Sequence, residues 1–425
     1  MRKRKTNIFA GIDWILVLFY IVLVFIGWIT IYAASVSEDQ NEVLNLTVLY
    51  GKQLLWIGLS TILIILIIAI DAKFYERFSI IFYGITILLL LGLFVLGTTI
   101  NGATSWYNLG GFSLQPAEFA KVGAVLLLAS FLNLPNTDLS NLKSQLNAFL
   151  ILLLPAFLIV LQPDAGSAMI YFTLIFVLYR EGLPAYYLLI GIVAILLFIL
   201  TLYAGFSISI LIIFSIITLF FVYLLNYKKI QLNREWYKIL ILYLVIGLFM
   251  FSVDYVFNHV FEQRHRDRFS IILGKTADTK GIGYNTNQSM LTIGSGGWTG
   301  KGYLEGDRTQ GNFVPEQDTD YIFSAIGEEW GFFGSTLVII IYVAFLLRLI
   351  RVAERQKSKF SRTFGYSVAT IFFFHFTINI GMVMGLVPTI GIPLPFFSYG
   401  GSSLWGFTIL LFIFIRLDAD RTYEW

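Results

Sequence analysis

The amino-acid sequence predicts an all-α polytopic membrane protein with about twelve transmembrane helices and one large extracytoplasmic loop. Three observations predict it. Hydrophobic types make up 57% of the 425 residues and charged types only 13%, about half the charge of a soluble domain. Apolar runs near the ~20 residues that a bilayer demands recur along the chain. Lys and Arg rise and fall in density between successive runs, as the positive-inside rule requires of a multi-spanning chain.

The basic start Met1-Arg2-Lys3-Arg4-Lys5 precedes an apolar run at 12–34. That run exceeds the ~7–15-residue core of a signal peptide and is read as an uncleaved first span. Further spans are expected at 54–70 and 77–98. Pro116, which needs no N–H at a helix start, opens a span at 117–133. The runs at 146–162 and 165–180 are parted by Gln162-Pro163-Asp164-Ala165-Gly166. That break makes either two short helices or a helix and a re-entrant turn. Spans at 185–203, 206–226, 237–256, 321–348, 365–386 and 403–416 complete the set. With the N-terminus in the cytoplasm, inside segments hold 20 of the 29 Lys and Arg. Short outer loops hold Lys52 alone, and the long loop of about 257–320 holds seven. Both termini are therefore expected inside, and the 99–116, 257–320 and 387–402 loops outside. No repeat or low-complexity linker interrupts the chain, so residues 1–425 are expected to form a single membrane domain.

The absence of Cys excludes disulfides, thiolate nucleophiles and Cys-based zinc sites. The three scattered His residues show no metal cluster, and His375 reads as a satisfied interhelical polar group. Charge within a span is costly, about 2.5–3.5 kcal/mol per group at its centre, so the exceptions carry information. Glu118 and Lys121 are three apart, share a helix face and can pair, as an interfacial ion pair or as a polar pocket wall. Asp164 suits a turn or a helix N-cap. Gly294-Ser295-Gly296-Gly297-Trp298-Thr299-Gly300-Lys301-Gly302 resembles a phosphate loop but fails the P-loop pattern, because Gly302 stands where Ser or Thr is required. Its backbone N–H groups could still approach a lipid-linked phosphate. Arg264, Arg266 and Arg268 are either a solvated basic face or pyrophosphate partners. The long loop ends in Val314-Pro315-Glu316-Gln317-Asp318-Thr319-Asp320 against a membrane helix. There Asp320 can be a cap or a catalytic group. Glu328 and Glu329 follow two turns later, an unusual density of carboxylates for a span.

These segments carry a resemblance. Pro315-Glu316-Gln317-Asp318-Thr319-Asp320-Tyr321-Ile322-Phe323 through Gly331 resembles the end of the large outer loop in the SEDS family (shape, elongation, division and sporulation). Residues 379–403, from Asn379-Ile380-Gly381-Met382-Val383 to Tyr399-Gly400-Gly401-Ser402-Ser403, are similar to that family's signature near the last span. Gln162 to Gly166, and Trp106 followed by Gln115-Pro116-Ala117-Glu118-Phe119-Ala120-Lys121, fit as well. Asn379 to Val383 and the opening Asp13-Trp14 look more like the elongation-type than the division-type members. The resemblance implies a peptidoglycan glycosyltransferase in the bacterial inner membrane. It implies polymerisation of lipid II outside the membrane, beside a class B penicillin-binding protein that supplies transpeptidation. The family's catalytic aspartate maps onto Asp320, and its pocket residues onto Trp106, Glu118 and Lys121. Arg268, Lys301 and Thr319 are further candidate substrate-binding residues. Two departures stand out, Asp318 where the family often has His and Ser105 where it often has Arg. The family's ten spans leave 206–256 as an inserted helical hairpin.

Glycan polymerisation needs a base for the acceptor hydroxyl and help for a departing pyrophosphate. Asp320 is the expected base. Lys121, the Arg264–Arg268 cluster, or a divalent cation (magnesium or manganese) is expected to neutralise the leaving group. An α-linked donor giving a β-linked strand implies inversion. The substrate is lipid-borne, so neither a nucleotide nor a nucleic-acid partner is expected. The rival is a flippase or other transporter. Its usual mark is paired broken helices in two related halves, and only one break is present, at 162–166.

Overall fold

The computed structural model describes residues 11–36, 45–100, 102–108, 110–228, 232–260, 263–272 and 283–421. The basic run 2–5, part of the basic stretch 226–238, and residues 261–262 and 273–282 of the long loop lie outside these. Helices dominate. In order they are α1 (Trp14–Ser35), α2 (Leu49–Ala69), α3 (Ala72–Arg77) and α4 (Ser79–Leu96), then three short strands β1 (Thr98–Ile100), β2 (Ala103–Asn108) and β3 (Ser113–Leu114). There follow α5 (Pro116–Asn133), α6 (Leu142–Val160), α7 (Ala165–Thr173), α8 (Ile175–Arg180), α9 (Tyr186–Ala204), α10 (Phe206–Lys228) and α11 (Leu232–Tyr255). After a π-helical turn, Val256–Val260, come α12 (Gln263–Ile272), α13 (Tyr284–Ser295), α14 (Asp307–Gln310), α15 (Ile322–Glu354), α16 (Lys359–Val383) and α17 (Gly401–Asp420).

Eleven helices among the described residues are long and apolar enough to cross a membrane. The expected twelfth, at 165–180, is α7 followed by α8, two helices of 9 and 6 residues. At about 1.5 Å of rise per residue neither crosses a ~30 Å hydrocarbon layer alone. Asp164 caps α7, accepting from the Ser167 N–H at 3.0 Å. Several starts also move outward from their sequence positions. α16 begins at Lys359, where the Ser358 hydroxyl accepts from the Ser361 N–H and caps a polar first turn.

The single membrane domain expected from the sequence divides by contact into two compact units, Met1–Pro184 with Asn285–Trp425, and Ala185–Tyr284. In the first, the least apolar spans are the most enclosed. α5, α16 and α17 have mean hydropathies of 1.3, 1.5 and 1.5 and are 72%, 61% and 83% buried, while α4, at 2.6, is 22% buried. Polar side chains are thus held among neighbouring helices and away from lipid, as their insertion cost requires. Asp13 at the start of α1 accepts from Arg348 at 2.7 Å and Arg355 at 2.8 Å. Arg355 also pairs with Asp418, tying together one end of α1, α15 and α17.

The second unit contains α9, α10, α11, the π-helical turn and α12. The expected hairpin 206–256 lies within it, together with α9. Its helices pack on one another, and Thr218 and Tyr243 share a hydrogen bond of 2.6 Å between α10 and α11. The spans Phe206–Tyr223 and Tyr237–His259 are each only 6% buried, the profile of helices that present most of their surface to lipid.

Candidate active site

α5 enters the first unit with its acidic end foremost. Pro116 occupies its first turn, and Glu118 follows near the positive end of the helix dipole. Glu118 and Lys121 pair as their spacing suggests, Nζ to Oε1 at 2.8 Å, with side chains only 3% and 1% exposed. Across the interface, His375 of α16 brings Nε2 within 3.1 Å of the Lys121 ammonium. The Phe407 ring of α17 lies 5.0 Å from the same nitrogen, at cation–π distance. Gly406 admits this packing, since a Cβ there would sit 3.2 Å from Glu118 Oε2. His375 is satisfied as anticipated, between Lys121 and, through Nδ1 at 3.2 Å, the Pro393 carbonyl.

A second group of motif residues closes around the start of α5. Gln115 donates its side-chain N–H to Asp164 Oδ2 at 2.9 Å. Its backbone N–H donates to the Ser402 hydroxyl at 3.1 Å, which in turn donates to the Ser113 carbonyl at 3.2 Å. The 98–114 strands stand beside this point. β2 pairs with β1 and β3, and half-buried Trp106 lies opposite Thr98, whose hydroxyl donates to the Trp106 carbonyl at 3.0 Å.

The junction before α15 carries Thr319 and Asp320, and the 384–400 segment grips its backbone. The Tyr399 N–H donates to the Asp318 carbonyl at 2.8 Å, and the Ser398 hydroxyl to the Thr319 carbonyl at 2.6 Å. Asn379 donates to the Asp320 carbonyl at 2.8 Å. The Asp320 carboxylate lies against Gly391, whose Cβ position is 3.4 Å from Oδ2. Thr319 donates to Glu316 Oε2 at 3.2 Å. Asp318 is partly exposed as a residue, but its Oδ1 is enclosed without a hydrogen-bond partner. Burial, and then the neighbouring Glu316, push its carboxyl up to about 6. Asp318 also lines a cavity of about 380 Å³ together with Ser35, Thr47 and Asn312.

The glycine-rich stretch 294–302 serves another purpose than the phosphate approach considered for it. Helix α15 breaks at Gly331, where φ is 62°, and the stretch is hydrogen-bonded into the break. The N–H groups of Lys301 and Gly302 donate to the Glu328 and Glu329 carbonyls at 3.0 and 3.1 Å. Those of Phe332 and Phe333 donate back to the Gly297 and Trp298 carbonyls at 2.9 and 3.1 Å. A Cβ at Gly331 would lie 2.2 Å from the Gly300 nitrogen, so only glycine fits. Lys301 pairs with Glu328 at 2.7 Å and Asp307 at 3.1 Å, and these carboxylates hold its amine above the usual lysine range. Glu328 is wholly buried and also accepts from the Thr309 N–H and hydroxyl, both at 2.7 Å. The dense carboxylates of α15 therefore include the anchor of the outer segment. Arg268 belongs to α12 in the second unit, and the side chain of Arg264 lies outside the described residues.

The structure thus joins Glu118 with Lys121, and Thr319 and Asp320 with residues 379–399. Asn379 and Ser398 hold that junction, a role not read from the sequence. One local signal was available, because Asn379 falls four residues after His375 on the same face of the helix.

A family model described as a cell cycle protein, covering FtsW, RodA and SpoVE, matches residues 13–209 and 188–423. The chain is 32% identical to the peptidoglycan glycosyltransferase RodA of Treponema pallidum (strain Nichols), over 99% of this chain and 100% of that one. It is 30% identical to the peptidoglycan glycosyltransferase MrdB of Escherichia coli (strain K12), over 82% of this chain and 80% of the relative. Among solved structures it resembles a chain from work on structural coordination of polymerization and crosslinking by a peptidoglycan synthase complex. That likeness has a TM-score of 0.69 and 26% identity, and covers 97% and 99% of the two chains. The Rod shape determining protein RodA of Thermus thermophilus shares the fold, with a TM-score of 0.63 at 24% identity over 97% and 98% of the chains. With its spans, its motif clusters and both family matches in agreement, this chain belongs to the FtsW, RodA and SpoVE family.

Proposed function

We infer that the chain is a multi-pass peptidoglycan glycosyltransferase that polymerises lipid II into glycan strands for cell elongation. The observation that carries this reading is Asp320, a carboxylate at a loop–helix junction whose backbone is held from the 379–399 side. Asp320 takes the proton of the acceptor sugar's 4-hydroxyl. That oxygen attacks the anomeric carbon of the donor, and the bond from that carbon to the lipid pyrophosphate breaks with inversion. Lys121, paired with Glu118 at 2.8 Å, supplies positive potential for the leaving group. Among the described residues no group of three or more acidic or histidine side chains is placed to hold a metal ion; a magnesium or manganese ion would be held by one or two carboxylates together with the substrate pyrophosphate.

A class B penicillin-binding protein is the proposed partner, by analogy with the neighbouring synthase complex. The deciding experiment is polymerisation of purified lipid II by the purified chain, with and without that partner. Failure to make strands in either case counts against the reading. A lipid-flipping activity without polymer would favour the transporter.

Both termini are proposed to be cytoplasmic and the Asp320 junction extracytoplasmic. The chain has no Cys, so single-Cys labelling is clean. Asn108→Cys is expected to react with an impermeant reagent added outside intact cells, and Ser140→Cys only after lysis. The reverse pattern would invert the topology.

A further inference from the structure

Two polar side chains of α16, His375 and Asn379, lie one turn apart and are 2% and 0% exposed. Both reach the same short segment. Asn379 donates its two amide hydrogens to carbonyls, Asp320 O at 2.8 Å and Ile392 O at 2.7 Å. Only the NH₂ end can serve two carbonyls, so the amide orientation is fixed. Its Oδ1 is left buried without a partner, which marks the residue as a double donor. His375 Nδ1 lies 3.2 Å from the Pro393 carbonyl and must carry the proton. Nε2 is then the lone pair that accepts from Lys121. The adjoining Gly391 is the residue against which the Asp320 carboxylate rests.

We propose that Asn379 and His375 are positioning residues that tie Asp320 and the Lys121–Glu118 pair to one dipeptide, Ile392-Pro393, and so fix the separation of carboxylate and ammonium. The proposal rests on Asp320 being the base. Its logic is geometric. The helix that carries Lys121 and the segment that carries Asp320 both rest on α16 and this dipeptide, and misplacement of a reacting group by about 1 Å can cost ~10²-fold in rate.

The test uses the full chain with its partner, lipid II, and amide hydrogen exchange read by mass spectrometry. Asn379→Ala is expected to lower kcat roughly 10-fold or more, with KM for lipid II within about twofold. Exchange at 319–322 should quicken while α5 and α17 keep their protection. Asn379→Leu, which removes both donors at similar volume, should behave alike and covers the case in which Asn379→Ala fails to insert. His375→Gln, which retains a donor for Pro393 and an acceptor for Lys121, should keep most of the rate that His375→Leu loses. The double variant Asn379→Ala/His375→Leu should be no slower than the worse single, because both act through one dipeptide. Wild-type kcat in both Asn379 variants, unchanged exchange at 319–322, equal damage from Gln and Leu at His375, or multiplied losses in the double variant would each overturn the proposal. Exchange reads the clamp without any turnover. If Asp320→Asn polymerised normally, the base assignment alone would fall.

Discussion

Asp320→Asn lowers lipid II polymerisation by roughly 10²-fold or more, the usual contribution of a positioned base, while the protein inserts and binds its partner normally. Asn matches Asp in shape, the N-cap of α15 is Tyr321 and not Asp320 as the sequence also allowed, and the contact with Asn379 is made by the backbone carbonyl, so the clamp survives. Asp318→Asn is the control and should be much milder. It also has a signature of its own. The Asp318 carboxyl, pushed up to about 6 by burial and then by Glu316, loses its proton as pH rises through that value. A negative charge then appears two positions before Asp320 in the chain, and like charge makes Asp320 a stronger base. The wild-type rate profile should therefore carry an inflection near pH 6 that Asp318→Asn lacks. The sign for stability is opposite in effect. A carboxyl whose folded pKa is raised contributes stability fully below its unfolded pKa of about 3.9, and that contribution is lost as pH rises through about 6. Strand length and rate from labelled lipid II decide the matter. A dead Asp318→Asn beside a normal Asp320→Asn would mean that the wrong carboxylate has been chosen.

Glu118→Ala and Lys121→Ala each destabilise the fold by about 3–5 kcal/mol, because each strands the other charge in a closed interior. The two are not equivalent. Without Glu118, the Lys121 amine keeps His375 as an acceptor. Without Lys121, Glu118 Oε1 loses the ammonium that donates to it. Glu118 Oε2 already has no donor. Replacing both by a neutral pair of similar volume, Glu118→Gln with Lys121→Met, should recover much of the stability but not the polymerisation. Thermal unfolding in detergent and lipid II turnover, measured on the same preparations, separate the two effects. Full stability and activity in both alanine variants would refute the pairing as a structural and functional unit.

Much of this was legible in the residue order, for identifiable reasons. Long apolar runs declare spans whatever their neighbours do, and the i, i+3 spacing of Glu118 and Lys121 announces a pair before any packing is known. The break at 162–166 was legible through Pro163 and Gly166, but the second break, at Leu174 between α7 and α8, was not. Nor was the hold on Asp320. Asn379 reaches it across 59 positions and Ser398 reaches Thr319 across 79, and no local periodicity encodes contacts of that range. The glycine-rich stretch misled for a related reason. Its composition speaks of close backbone approach, which is correct, but not of what approaches. Here that partner is α15 itself.

The break in α15 also sets a depth. Around Gly331 the rings of Trp298, Trp330, Phe332 and Phe333 are 69%, 47%, 54% and 61% exposed, the kind of aromatic collar that settles at headgroup level. From Phe332 to Glu354 the helix is already long enough to cross the hydrocarbon. The nine residues from Ile322 to Trp330 are then surplus to crossing and stand on the far side of the collar. With the Asp320 junction extracytoplasmic, as proposed, a substrate anchored by its tail in the outer leaflet would present its sugars near that height.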